Sequence, residues 1–155
     1  MPRPARAPGP RYLVVVARFN RAITARLLRG ALAEFRARGV PAAAVETVWV
    51  PGSFELPIAA RTGAATGRYA AVACLGAVLK GETSHDVHVA AAAAAGIERV
   101  SADTGVPVTF GVITADTWEQ AEARSRVPRG RNLGRGAAAA AVAMAAVCAK
   151  LKAGV

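Results

Sequence analysis

The chain has 155 residues, 54% of them apolar and 19% charged, with a formal net charge of +10. That length suits one domain with one substantial core, although about a quarter of the residues are alanine, which contributes little apolar area per residue. No apolar run reaches the roughly 18 residues of a membrane span, and the N-terminal MPRPARAPGPR has no apolar core of a secretory signal.

In chain order, residues 1–11 read as a flexible basic arm, and residues 12–155 as a single α/β domain. Tyr12 to Ala17 is a β-branched run, the first predicted strand. Arg21 to Arg38 carries apolar residues at helical spacing (Ile23, Leu27, Leu28, Ala31, Leu32, Phe35) and ends at Gly39. Val45 to Val50 is the second strand. Pro51-Gly52-Ser53 is a turn, with Ser53 able to cap a helix to about Ala65 and Pro57 in its first turn. Ala70 to Leu79 is the third strand. Thr83 to about Ser101 is an alanine-rich helix. Pro107 to Ile113 is the fourth strand. Asp116 with Glu119 predicts a capping box for a short helix to about Arg124. An Arg/Pro/Gly-rich connection follows, and a last helix runs from about Leu133 to Leu151.

Strands alternate with helices throughout, which predicts a four-stranded parallel sheet between two helical layers, a three-layer αβα sandwich of flavodoxin-like type. A sheet this small, flanked by alanine-rich helices, is expected to bury further surface by oligomerising. Cys74 falls in a predicted core strand and Cys148 in the last helix, without metal spacing, so both are expected to be reduced thiols of a cytoplasmic protein, and no metal is expected.

The charge is concentrated. Nine arginines lie in the first 38 residues and five more between Arg124 and Arg135. These basic runs lack interleaved aromatics for stacking bases. They read as solvated surface and a basic rim for anionic substrates rather than a nucleic-acid surface, and neither nucleic acid nor membrane is expected as a partner.

Four polar or aromatic clusters stand where predicted strands end: Arg18-Phe19-Asn20, Gly52-Ser53-Phe54-Glu55, Lys80 to His85, and Thr114 to Asp116. In a parallel sheet all four share the carboxyl edge, where ligands of open α/β sheets bind. The third is the most informative. A Gly turn, a hydroxyl cap and a histidine sit where a buried strand hands over to a helix, whose N-terminal N–H groups attract anions. The helix dipole there disfavours protonation and leaves His85 a neutral imidazole, ready to accept and return a proton. An enzyme acting on a small anionic substrate is expected.

With those clusters in hand, the segments ARFN (17–20), VPGSFELP (50–57), LGAVLKGETSH (75–85), PVTFGVITADTWEQAEAR (107–124) and NLGRGAAAA (132–140) resemble the 6,7-dimethyl-8-ribityllumazine synthase family of riboflavin biosynthesis. They keep the family's order and nearly its spacing from about residue 12 to 151. The resemblance implies condensation of 5-amino-6-(D-ribitylamino)uracil with 3,4-dihydroxy-2-butanone 4-phosphate. A Schiff base forms, phosphate is eliminated and the ring closes with loss of water. No metal or organic cofactor is implied. It also implies a homo-oligomer with active sites between subunits, either a pentamer or a pentamer-based sixty-subunit shell, and riboflavin synthase as a further partner.

The same resemblance implies roles for residues. Phe19 would stack on the pyrimidine ring, the alternative being core packing. Ser53 and Phe54 would contact the pyrimidine and ribityl parts, and Glu55 would accept ribityl hydroxyls, the alternative for Ser53 and Glu55 being helix capping. Ala77, Val78 and Leu79 would offer backbone groups to the pyrimidine edge. Gly81, Glu82 and Thr83 would bind the phosphate, Gly81 through a tight turn and Glu82 through its backbone N–H. Phe110 and Arg124 would come from a neighbouring subunit, Arg124 to the phosphate. His85 would transfer protons, with His88 as runner-up. The chain departs from the family pattern at Asp86-Val87-His88, usually aromatic-acid-aromatic, and at Asn132-Leu133-Gly134, often Asn-Lys-Gly. Arg129, Arg131 and Arg135 are the cations near enough in sequence to replace the lysine. It departs again in a connection before Asn132 that looks one residue longer and contains Pro128, and in an arm without the apolar strand many relatives carry. The altered surroundings of His85 leave a second reading, a flavin or ribityl-pyrimidine binding protein of the same fold with little turnover. A third is a flavodoxin-like nucleotide or nucleic-acid binder.

Overall fold

The computed structural model describes residues 9–127 and 131–154. Four strands, β1 (Tyr12–Ala17), β2 (Val45–Val50), β3 (Ala71–Leu79) and β4 (Val108–Ala115), form one parallel sheet in the order β2-β1-β3-β4. Five helices connect and flank them: α1 (Arg21–Ala37), α2 (Leu56–Ala65), α3 (His85–Thr104), α4 (Trp118–Ala123) and α5 (Leu133–Lys152). The order reverses between β1 and β3, and such a switch point opens a crevice beyond the strands' carboxyl ends.

The period-two alternation of the strands divides the core. Tyr12, Val14 and Val16 of β1, with Ala71, Ala73, Leu75 and Ala77 of β3, face α1 and α5. Leu13, Val15 and Ala17, with Val72, Cys74 and Val78, face α2 and α3. The central strands are apolar on both faces because helices cover both. Alanine allows close approach at the helix layers. Gly134 of α5 lies against α1 so tightly that an added Cβ would stand 2.0 Å from the Leu27 carbonyl oxygen.

Most predicted elements are present within a few residues. The predicted caps moved. Ser53 caps no helix through its side chain. It opens a 3-10 turn, Ser53–Glu55, and the Glu55 carboxylate instead accepts the Gly52 N–H at 3.0 Å. The predicted Asp116–Glu119 capping box does not form, and the cap is one residue further on. Thr117 Oγ1 accepts the Gln120 N–H at 3.2 Å, while the Gln120 side-chain oxygen accepts the Asp116 N–H at 2.8 Å. α3 starts at His85 rather than Thr83, and β4 runs two residues past Ile113.

α5 is 20 residues long with a mean hydropathy of 1.3, enough to span a bilayer by length and composition. It is a flanking helix all the same. Gly134, Ala137, Ala138, Ala141 and Ala145 form a buried stripe against α1, β3 and β4, and Lys150 and Lys152 close its last turn.

The predicted arm falls outside the described residues up to residue 8. Arg11 is described, and its carbonyl accepts the Ala70 N–H at 2.8 Å. Both cysteines are free. Burial pushes the Cys74 thiol up to about 12.

Candidate active site

The ends of β1, β2 and β3 are tied together by backbone and one side chain. The Arg18 and Phe19 N–H groups donate to the Val50 and Pro51 carbonyls at 2.8 and 3.0 Å, so the first loop lies against the second. Asn20 has φ 60° and ψ 45°, a left-handed conformation that asparagine tolerates better than most residues. Its Nδ2 donates to the Ala77 carbonyl at 2.9 Å, linking the first loop to β3. Its own carbonyl accepts the Ile23 and Thr24 N–H groups and so begins α1. Phe19, held between these ties, is 73% exposed. Core packing is excluded for it within this chain. The ring is presented to solvent.

A cleft of about 650 Å³ opens beside it. Phe19 stands on one side. Pro51, Gly52, Ser53, Phe54 and Glu55 come from the turn after β2, and Ala77, Val78 and Leu79 from the end of β3. His85, Asp86, His88 and Val89 come from the first turns of α3. Phe54 is 62% exposed into this space, whereas Ser53 is buried. Gly76 explains the difference. A Cβ there would stand 2.4 Å from Ser53 Oγ, so the missing side chain leaves the hydroxyl its place against β3. The turn is thus seated through Ser53 and offers Phe54 outward. Glu55 serves as the Gly52 cap and also lines the cleft.

His85 is the first residue of α3, and its N–H donates to Thr83 Oγ1 at 3.3 Å. The hydroxyl cap expected ahead of the histidine is not formed by the N-cap residue itself: Ser84 stands at that position without a side-chain cap bond, and Thr83 supplies only this local contact. Gly81, Glu82 and Thr83 are exposed in the turn before the helix, just beyond the residues that line the cleft. The conformational reason expected for Gly81 is absent. Its φ is not positive, and an added Cβ would meet nothing within 4 Å. Only a close approach from outside the described residues would require glycine there.

Eight of the sequence-predicted residues therefore meet in one cleft: Phe19, Ser53, Phe54, Glu55, Ala77, Val78, Leu79 and His85. Phe110 and Arg124 do not reach it within the chain. Phe110 is exposed on edge strand β4, and Arg124 Nη1 donates to the Gln120 carbonyl at 3.0 Å at the end of α4. The segment after Arg124 is anchored by Asn132. Its Nδ2 donates to the Arg26 and Arg126 carbonyls at 3.2 and 3.3 Å, and its Oδ1 accepts the Arg135 N–H at 3.1 Å. Pro128 and Arg129 lie outside the described residues. Among the described residues, no group of three or more His, Cys, Asp or Glu is placed to hold a metal.

Sequence reasoning missed two contributions. Asn20 was legible only as a polar neighbour of Phe19, because its bond to Ala77 spans 57 positions. Asp86 and Val89 gave a signal only as neighbours of His85 on the helix.

Comparison with known proteins agrees with this geometry. The 6,7-dimethyl-8-ribityllumazine synthase family profile matches residues 9–149. The chain is 43% identical over 146 residues to a 6,7-dimethyl-8-ribityllumazine synthase of Gloeobacter violaceus (strain ATCC 29082 / PCC 7421), covering 92% of this chain and 80% of that protein. With the match running through every loop that builds the cleft, this chain belongs to the 6,7-dimethyl-8-ribityllumazine synthase family.

Proposed function

We propose that the chain condenses 5-amino-6-(D-ribitylamino)uracil with 3,4-dihydroxy-2-butanone 4-phosphate to give 6,7-dimethyl-8-ribityllumazine, a transferase step of riboflavin biosynthesis. Family membership supports the reaction. The observation that carries it to these residues is the convergence of two exposed rings, Phe19 and Phe54, with His85 on one cleft.

Each requirement of the reaction has a candidate. A pyrimidinedione needs an apolar face and edge partners. Phe19 offers the face, worth about 1–3 kcal/mol for a stacked base, and the backbone of Ala77, Val78 and Leu79 the edge. Ser53, Phe54 and Glu55 receive the ribityl chain. The phosphate sits at the Gly81-Glu82-Thr83 turn before α3, where backbone N–H groups and the dipole favour an anion. For Glu82 the group we assign to the phosphate is the backbone N–H rather than the carboxylate.

The chemistry is proton traffic. The 5-amino nitrogen adds to the ketone. The resulting carbinolamine loses water as its hydroxyl takes a proton and the nitrogen lone pair forms the C=N bond. Removal of a carbon-bound proton then drives the phosphate out. The elimination leaves an enol at the hydroxyl-bearing carbon, which takes a proton on its terminal carbon and becomes a ketone. Attack by the ribityl-bearing nitrogen on that ketone closes the ring with a second water lost. His85 accepts and returns these protons beside the departing phosphate.

The family implies oligomeric assembly in general. We assign Phe110 and Arg124 to the cleft of a neighbouring copy, where the arginine fork grips the phosphate. Support comes from the apolar surface one chain leaves open: Phe110 on β4, and Met144, Val147 and Leu151 on α5. A pentamer, alone or built into a shell, is the assembly we propose, with riboflavin synthase as the enzyme that takes the product. Two unpaired cysteines fit a cytoplasmic location.

The experiment is absorbance of the lumazine product from purified protein and both substrates, alongside solution mass. Product formation that follows an oligomer supports the reading. Substrate binding without product would transfer support to the binding-protein reading, and full activity from a monomer would defeat the shared site.

A further inference from the structure

The cleft holds a second imidazole. His88 lies three residues beyond His85 on α3 and lines the same cleft. At that spacing two side chains share a helix face, with Cβ atoms about 5–6 Å apart. Helical side chains lean toward the helix N-terminus, so His88 leans back over the turn that carries His85. The polypeptide runs from the carboxyl edge of the sheet down α3, so His88 stands further along the cleft than His85. The Ser53–Glu55 turn, on which α3 packs, lines the same cleft. Both histidines are exposed in the single chain and neither makes a hydrogen bond through its imidazole among the described residues. Neither ring is committed to holding the fold together.

We propose that His88 is a second catalytic residue of this enzyme, sharing proton transfer with His85. The inference rests on the synthase reading above. In the carbinolamine step an imidazolium N–H gives its proton to the hydroxyl. The C–O bond breaks, water leaves, and the nitrogen lone pair forms the protonated C=N. A neutral imidazole then takes the N–H proton, and the pair returns to its starting charge. Two rings on one face let one act as the acid while the other is the base. A lone ring must do the two in turn. His85, at the phosphate end, serves elimination. His88, three residues further along α3 from the phosphate turn, serves ring closure. The other charged groups lining this cleft are Asp86 on the same helix and Glu55 from the turn packed against α3. Of the other elements packed on α3, β4 carries no titratable side chain, β3 only the buried Cys74, and α2 only Arg61, which pairs with Asp103 in the last turn of α3 at 3.7 Å.

The test compares lumazine formation by the unaltered chain, His85→Ala, His88→Ala, His88→Gln and His85→Ala/His88→Ala across pH, with mass and circular dichroism confirming assembly. His85→Ala is expected to keep a residual rate, and adding His88→Ala to lower it by a further factor of about ten or more. The pH profile of His85→Ala should keep an ionisation that the double variant loses. His88→Gln, which keeps a polar contact but carries no proton, should match His88→Ala in rate. A double variant no slower than His85→Ala, or a His88→Gln variant with full rate and unaltered pH profile, overturns the assignment. Absence of lumazine from the unaltered chain sinks the reaction itself, and this proposal with it.

Discussion

Gly76 is the point where β3 carries the ligand-facing turn, and Gly76→Ala tests that seat. The new Cβ would stand 2.4 Å from Ser53 Oγ, 3.4 Å from Ser53 Cβ and 3.3 Å from Leu56 Cδ1. The hydroxyl must therefore withdraw by about 1 Å, while Leu56, fully buried, gives a few tenths at most. Overpacking of this kind costs about 1–3 kcal/mol, and each kcal/mol lowers Tm by about 2–4 °C in a chain of this size. The same displacement moves Phe54 and Glu55. A misplacement of about 1 Å among substrate-positioning groups can cost up to about 10²-fold in rate. Ser53→Ala introduced together with Gly76→Ala removes the offending oxygen and leaves the two Cβ atoms in ordinary contact at 3.4 Å. Calorimetry at fixed protein concentration and the lumazine assay should both show loss in the single variant and substantial recovery in the double. A Gly76→Ala protein with unchanged Tm and rate, or a double variant no more stable than the single, would refute the reasoning.

Three further outcomes are expected. Arg124→Ala should raise KM for the phosphorylated substrate by about tenfold or more, the worth of a charge-assisted hydrogen bond, with little change toward the pyrimidine; initial rates against each substrate separate the two. Stability should fall as pH rises from 9 toward about 12. Cys74 has its folded-state value raised from 9.0 to about 12 by burial, so the neutral thiol favours the fold below 9 and that contribution is lost on the alkaline side. Tyr12 and Tyr69 act in the same direction above 10, both raised by burial, and Tyr69 further by its hydrogen bond to Glu46. Equilibrium unfolding across that range checks the sign. In the native protein a thiol reagent at neutral pH should leave Cys74 unmodified until the chain unfolds.

Local pattern reached far in this chain. β1 and β2 begin and end where their β-branched runs do; for β1 a continuous apolar stretch bounded by turn residues leaves a short buried strand little freedom of register, whereas β2 is a half-buried edge strand. α1 and α3 end beside Gly39 and Gly105, both at positive φ, where glycine is least strained. The clustering of Phe19, Phe54 and His85 followed from alternation alone, since a parallel sheet sends every strand's carboxyl end to one edge. Tertiary structure decided the rest. The order β2-β1-β3-β4, the Asn20 bond to Ala77, the Ser53 seat against Gly76 and the shift of the cap to Thr117 each depend on which distant groups meet. Such meetings are set by packing and by pairing of polar groups across the fold. No periodicity along the chain encodes them. The same holds for Phe110 and Arg124, whose side chains make sense only against a surface that one copy of the chain does not contain.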